Sequence, residues 1–216
     1  MMPDIEALKK NAEKLLARDW KLLEIESRFQ KLSDRGIVKK ELSREAIILH
    51  KQKVLDRVQR RGEEYCYLTR NCARGSTAAL LEEFGLGNME IVKAMLPFPG
   101  LGMSGGICGP VSGGLIALGL YFSNDDLADP SNATRTYPAA REYLRRFKHT
   151  FGTLFCPDIQ AILLGKYYDP LASPENREAF NQSGARGKCA LAPGLGARLA
   201  AEIIIEEMEK EVESQG

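Results

Sequence analysis

The chain has 216 residues, of which 44% are hydrophobic and 27% charged, proportions that are ordinary for a globular domain. Lys and Arg number 30 against 29 Asp and Glu, so the net charge of +1 provides no electrostatic basis for nucleic acid as a partner. The first residues lack the apolar core of a signal peptide, and no apolar run approaches the ~20 residues that span a bilayer. We therefore expect a cytoplasmic protein without a membrane span.

The first third of the chain has the pattern of long amphipathic helices. Apolar residues recur at helical spacing over residues 3–32, and we predict a single helix there. Ser43 is suited to cap a second long helix that continues towards Tyr67. We assign residues 1–62 to an N-terminal helical extension and residues 63–216 to the main domain. The extension is interpreted either as an oligomerisation or docking arm or as helices that pack on the main domain.

The rest of the chain is also predicted to be helical. No segment alternates apolar and polar residues as a half-buried strand does, so the predicted fold class is all-α. Asn71 is suited to cap a compact helix that Gly85 would end. The other predicted helices span residues 89–96, 111–122, 137–151, 158–164, 175–182 and 197–212.

The sequence contains five cysteines: Cys66, Cys72, Cys108, Cys156 and Cys189. An odd number of cysteines in a chain of this length does not indicate a disulfide framework. Buried apolar thiols are the ordinary alternative. However, Cys72 falls in the first turn of a predicted helix, and Cys108 and Cys156 each precede a helix that a proline opens.

A glycine-rich stretch, Gly100 to Gly114, surrounds Cys108. Glycine permits close backbone approach, so we predict that this stretch wraps tightly around something. A helix dipole stabilises a thiolate at its N-terminus, and we therefore expect Cys108 to ionise easily. The pattern Gly100-x-Gly102-x-x-Gly105 formally matches a dinucleotide-binding fingerprint, but two prolines and a helix precede it in place of the required strand.

Helix starts that converge would bring several thiolates together. Four thiolates satisfy the ligand count of zinc or of an iron–sulfur cluster. The spacings are wide and no Cys-x-x-Cys pair is present, so the ligands would come from separate helices. A ligand role for His50 or His149 is the weaker hypothesis, because His149 suits the end of its predicted helix.

Four short segments then stand out together: Asn-Cys-Ala at 71–73, Gly-Gly-Ile-Cys-Gly-Pro-Val-Ser-Gly-Gly at 105–114, Phe-Gly-Thr-Leu-Phe-Cys at 151–156 and Lys-Cys-Ala at 188–190. They resemble the C_GCAxxG_C_C family of redox-active bacterial proteins, over about residues 63–216. The same domain is similar to the [2Fe–2S] portion of split-Soret cytochrome c, whose haem-binding parts have no counterpart here. Pro110 stands where the family's Cys-Gly-Ala-x-x-Gly core has alanine.

The resemblance implies a set of site residues. The implied ligands of a [2Fe–2S] cluster are Cys72, Cys108, Cys156 and Cys189, and the glycines expected beside the cluster are Gly105, Gly106 and Gly109. Cys66 lies outside the family pattern, and we expect it to be a structural thiol.

The leading hypothesis is a small iron–sulfur protein that passes single electrons to or from an oxidoreductase partner, as a carrier more than as a stand-alone enzyme. One alternative is a thiol–disulfide protein in which Cys108 is the nucleophile and Cys72 or Cys156 resolves the mixed disulfide. Another is an interaction module stabilised by zinc. A homodimer is compatible with each of these hypotheses.

Overall fold

A computed structural model describes residues 3–39 and 43–214. Its elements are helices throughout, which confirms the all-α prediction, and the described residues contain one isolated β-bridge, between Ile107 and Phe155. The helices are α1 (Ile5–Leu16), α2 (Leu22–Arg35), α3 (Arg44–Leu49), α4 (Lys51–Thr69), α5 (Cys72–Phe84), α6 (Met89–Ala94), α7 (Gly100–Met103), α8 (Gly109–Phe122), α9 (Ser131–Phe151), α10 (Cys156–Leu164), α11 (Pro174–Gln182), α12 (Ala185–Lys188) and α13 (Leu191–Glu213).

The prediction of one helix over residues 3–32 is wrong, because the chain turns between α1 and α2. Lys21 adopts a left-handed conformation with φ of +37°, and Trp20 is buried in the turn. The Trp20 Nε1 atom donates a hydrogen bond to the Leu15 carbonyl at 3.1 Å, and its ring stacks on Tyr67 with centroids 4.1 Å apart. The turn thus gives the indole both apolar contact and a polar partner, as buried tryptophan requires.

The second predicted helix is also interrupted. Ser43 caps α3 as expected, since its hydroxyl accepts a hydrogen bond from the Ala46 N–H at 3.2 Å. His50 then leaves the helical conformation, with φ of −110°, and separates α3 from α4. Because α4 runs continuously through residues 62 and 63, the proposed boundary between the extension and the main domain lies within a helix. The division remains a prediction.

The N-terminal helices pack on the rest of the molecule, as the packing interpretation predicts: α1 contacts α10 and α12, and α2 contacts α4. Arg18, just after α1, donates hydrogen bonds of 3.0 Å to both Glu63 and Glu64 on α4. Arg28 on α2 also pairs with Glu64. Both carboxylates are buried, so these pairs provide the charge compensation that burial demands.

Helices α4, α5, α8 and α13 form the centre of the fold, with α9 against α8 and α13. Tyr143, Phe147 and Phe151 on α9 are fully buried, whereas Tyr137 near the start of the same helix is 68% exposed. α13 begins six residues before the predicted position 197, at Leu191. The early start is accommodated by a close approach to α4, where a Cβ at Gly62 would lie 2.7 Å from the Pro193 carbonyl oxygen. None of the helices in the described ranges is long and apolar enough to cross a membrane.

The packing of α8 on α9 provides a stability test. A Cβ at Gly114 would overlap the ring and hydroxyl of the buried Tyr143, whereas a Cβ at Gly119 on the same helix would meet nothing within 4 Å. We expect Gly114→Ala to lower the free energy of unfolding by about 1–3 kcal/mol through overpacking. Gly119→Ala should be neutral or stabilise by roughly 0.5–1 kcal/mol, since alanine is the better helix former. Urea unfolding measures both variants, and equal midpoints would contradict this account of the α8–α9 contact.

Candidate functional site

The structure brings all five cysteines to one cavity of about 360 Å³. The cavity lies where the starts of α5, α8 and α10 approach the junction of α12 and α13, and Cys66 borders it from α4. Most of its other lining residues are apolar: Pro99, Met103, Ile159, Phe180, Ala185 and Ala192. The remaining lining side chains are Arg70, Gln160, Asn181 and Arg186. The wide sequence spacing of the cysteines therefore closes into a single thiol-lined space.

Cys72 is the first residue of α5, as predicted. Asn71 caps the helix by accepting a hydrogen bond from the Arg74 N–H at 2.9 Å, and its side-chain amide donates to the Leu96 carbonyl at 3.1 Å. Asn71 is itself buried. The same side chain thus sets the start of α5 and ties it to the segment that leads into the glycine-rich stretch.

Cys108 is the residue immediately before α8 and is buried. Its backbone N–H donates to the Leu154 carbonyl at 2.9 Å. The first turn of α8 is held from the other side, because the Tyr143 hydroxyl donates a 2.7 Å hydrogen bond to the Pro110 carbonyl. Proline in the place of the family alanine therefore keeps the helix start, and its carbonyl has a buried partner.

Cys156 opens α10, two residues before the predicted start, with Pro157 as the second residue of the helix. Its N–H donates to the Gly106 carbonyl at 2.9 Å, so the loops before α8 and α10 are joined by a pair of backbone hydrogen bonds. The buried Gln160, one helical turn later, donates from its Nε2 atom to the Cys156 sulfur at 3.5 Å. Its spacing of four residues from Cys156 is the signal by which the sequence could have indicated Gln160.

Cys189 lies between α12 and α13 instead of at the first residue of a helix. The end of α1 packs beneath this segment, where a Cβ at Gly187 would be 3.1 Å from the Leu16 Cα atom. Arg186, which lines the cavity, places its guanidinium 4.2 Å from the centroid of the Tyr67 ring. The N-terminal helix therefore supports the part of the site that carries Cys189.

Gly105, Gly106 and Gly109, the glycines expected beside the cluster, shape the backbone around the cavity. A Cβ at Gly109 would lie 2.6 Å from the Cys72 sulfur and 2.7 Å from the Ala73 nitrogen, so only glycine allows α5 and α8 to start this close together. The Gly106 carbonyl anchors Cys156, and Gly105 lies beside Pro157. None of the three is among the residues that line the cavity within the described chain. Their contact with a bound group remains a prediction.

The acidity of the thiols differs from the expectation. The pKa of Cys108 is raised by hydrogen-bonding interactions with the Cys156 and Cys72 sulfurs and by burial, so the prediction of an easily ionised Cys108 is wrong. The interaction with Cys108 lowers the pKa of Cys156 to about 7 against the effect of burial, with a contribution from Gln160. Burial also raises the pKa of Cys189, and negative charge on Cys72 and Cys156 raises it further. Cys156 is thus the more acidic partner of Cys108.

The two histidines that the sequence offered as weaker ligand candidates lie away from the cavity. Neither His50 nor His149 lines the cavity. Within residues 3–39 and 43–214, no three His, Cys, Asp or Glu side chains are arranged to hold a metal ion. Cys66, which the sequence left as a structural thiol, lies on the cavity wall with the other four cysteines.

Comparison with known proteins agrees with the motifs of the sequence. The model of the C_GCAxxG_C_C family, described as "Putative redox-active protein", matches residues 70–203. No curated protein and no solved structure matches the chain. The matched segment covers more than half of the 216 residues and includes Cys72, Cys108, Cys156 and Cys189, while Cys66 precedes it. The chain belongs to the C_GCAxxG_C_C family of redox-active proteins.

Proposed function

We propose that this protein is an electron carrier in which Cys72, Cys108, Cys156 and Cys189 hold a [2Fe–2S] cluster. The observation that carries the proposal is the convergence of these family cysteines, from four separate segments, on one cavity of about 360 Å³. When bound, such a cluster supplies one-electron redox chemistry at the centre of the fold.

The donor types that line the cavity suit an iron–sulfur group, and because no three of the described side chains are arranged to hold a metal ion as they stand, binding would draw the thiols closer together. Thiolates are the soft ligands that iron–sulfur clusters take, and cysteines are the ligands the cavity offers in number. Metal sites that prefer oxygen or nitrogen ligands use aspartate, glutamate or histidine. None of these residues lines the cavity in the described part of the chain. Apolar neighbours such as Ile159 and Phe180 would exclude water, which is one of the factors that set a cluster's potential.

The polar groups beside the thiols also suit anionic sulfur. Cys72 and Cys156 lie in the first turns of α5 and α10, where the helix dipole favours negative charge. The Gln160 amide already donates to the Cys156 sulfur. Hydrogen bonds to ligand sulfur tune the potential of a cluster, so Gln160 would act as a positioning and tuning residue.

Exposed apolar side chains lie beside the two joined loops. Leu101 packs on Gly106, and Phe155 directly precedes Cys156; both are about half exposed, at 46% and 52%. A protein partner that exchanges electrons at this site would find apolar contact there. We propose an oxidoreductase as that partner, with a homodimer as a further assembly. All five cysteines are free, which suits a reducing compartment such as the cytoplasm.

Metal and sulfide analysis tests the proposal. We expect protein purified anaerobically from cells with ample cluster supply to contain iron and acid-labile sulfide in equal amounts, and to develop an EPR signal on reduction. Replacement of Cys108 or Cys156 by alanine should remove both, because these two cysteines lie on the joined loops. Iron-free, colourless wild-type protein would contradict the proposal, and stoichiometric zinc would favour the interaction module instead.

Gly109 provides a test that leaves every thiol in place. A methyl group at this position would meet the Cys72 sulfur, so Gly109→Ala should force α5 and α8 apart. We expect lower iron content together with a destabilisation of about 1–3 kcal/mol from overpacking. Gly119→Ala on the same helix is the matched control, since its Cβ meets nothing within 4 Å. Equal iron content in the two variants would show that the close approach does not matter for binding.

A second function is favoured by the two backbone hydrogen bonds that hold Cys108 and Cys156 side by side, and by the opposite directions of their pKa shifts. The roles expected from the sequence, with Cys108 as the nucleophile, are exchanged here because Cys156 has the lower pKa. In a thiol–disulfide exchange, the Cys156 thiolate would attack a small disulfide and release one thiolate as a mixed disulfide forms. Cys108 would then attack the Cys156 sulfur, releasing the second thiolate and closing a Cys108–Cys156 bond.

Peptide mapping by mass spectrometry distinguishes this function from metal binding. Metal-free protein treated with oxidised glutathione should acquire a disulfide between Cys108 and Cys156. In Cys108→Ser the glutathione should stay attached to Cys156, and in Cys156→Ser the Cys108 thiol should remain unmodified. Random pairing among the five cysteines would argue against a dedicated exchange pair.

A further inference from the structure

Cys66 has the properties of a site residue that the family motif does not include. The residue is only 6% exposed, and it lies on the wall of the cavity that Cys72, Cys108 and Cys156 also line. Its thiol makes no hydrogen bond to another side chain or to the backbone beyond its own helix among the described residues. A buried thiol without a polar partner, facing a space lined by other thiols, is a donor available to a ligand in that space.

The turn between α4 and α5 places Cys66 on the same side of the cavity as Cys72. Arg70 reverses the chain with a left-handed φ of +53°, so the last turn of α4 lies against the first turns of α5. A Cβ at Gly75 would lie 2.7 Å from the Cys66 Cβ atom. Gly75 follows Cys72 by three residues and therefore shares its face of α5.

Cys66 and Cys72 are held on one side of the cavity by the packing of α4 against α5. Cys108 and Cys156, by contrast, are tied to each other through the backbone hydrogen bonds of their loops. Five thiols thus border one cavity, whereas a [2Fe–2S] cluster takes four.

We propose that Cys66 is a reserve ligand that can take the position of Cys72 on the α4–α5 side of the cavity. The inference rests on the proposed function, because it assumes that the cavity holds a cluster. Ligation through Cys66 requires its thiol to lose one proton to solvent and changes no oxidation state. The chain could then keep a bound cluster when Cys72 is oxidised or replaced, while the joined loops that carry Cys108 and Cys156 have no such substitute.

The test compares single and double variants by iron and sulfide content per protein and by the EPR spectrum of the reduced state. We expect Cys72→Ala to retain bound iron with altered EPR g-values, and Cys66→Ala to retain both iron and the wild-type spectrum. The Cys66→Ala/Cys72→Ala double variant should lose iron to the background level of Cys108→Ala. Circular dichroism melting checks that each variant is folded. Cys72→Ser, alone and with Cys66→Ala, repeats the comparison with a side chain of nearly unchanged volume.

The outcomes separate the two proposals. If the wild type binds iron but Cys72→Ala contains as little iron as the double variant, the reserve-ligand role is overturned and the proposed function stays intact. Retention of iron by the double variant would also overturn it, because neither cysteine would then be needed on that side. An iron-free wild type would overturn the proposed function and this inference with it.

Discussion

The site depends on two backbone hydrogen bonds that join the loops before α8 and α10. Cys108 donates to Leu154 and Cys156 donates to Gly106, each at 2.9 Å, so the two helix starts are held side by side. The proximity of the two thiols raises the pKa of Cys108 and lowers the pKa of Cys156. The buried hydrogen bond from Tyr143 to the Pro110 carbonyl holds the same region from beneath. Loss of the two backbone hydrogen bonds would separate the Cys108 and Cys156 thiols.

The rest of the fold brings the other thiols to that pair. Gly109 lets α5 start against α8, which places Cys72 beside Cys108. The N-terminal helices, anchored by the buried pairs of Arg18 with Glu63 and Glu64, support the α12 segment next to Cys189. Because each cysteine comes from a different local element, none of the pairwise contacts could form before the helices had packed. The cluster of cysteines around the cavity therefore exists only when the whole bundle has packed.

The shared chemistry of the site explains why its two candidate functions are close to each other. A cavity bordered by thiols suits soft metal centres, and two interacting thiols of unequal pKa suit disulfide exchange. Both rest on the joined loops of Cys108 and Cys156, and they differ in the use of Cys72 and Cys189. The position of Cys66 on the same wall adds weight to metal binding, because a two-thiol exchange reaction has no need of five cysteines around one cavity.

Local signals in the sequence were enough to determine the helical class, the caps at Ser43 and Asn71, and the helix starts at which Cys72, Cys108 and Cys156 lie, since caps, prolines and glycines act within a few residues. Tertiary structure alone decided the break at Trp20, the early start of α13, the raised pKa of Cys108 and the place of Cys66 in the cavity. Each of these depends on groups distant in sequence: the Tyr67 ring, the α4 backbone, the Cys156 sulfur and the face of α5. Burial and contact between such groups arise only when the helices pack, so no local pattern could have shown them.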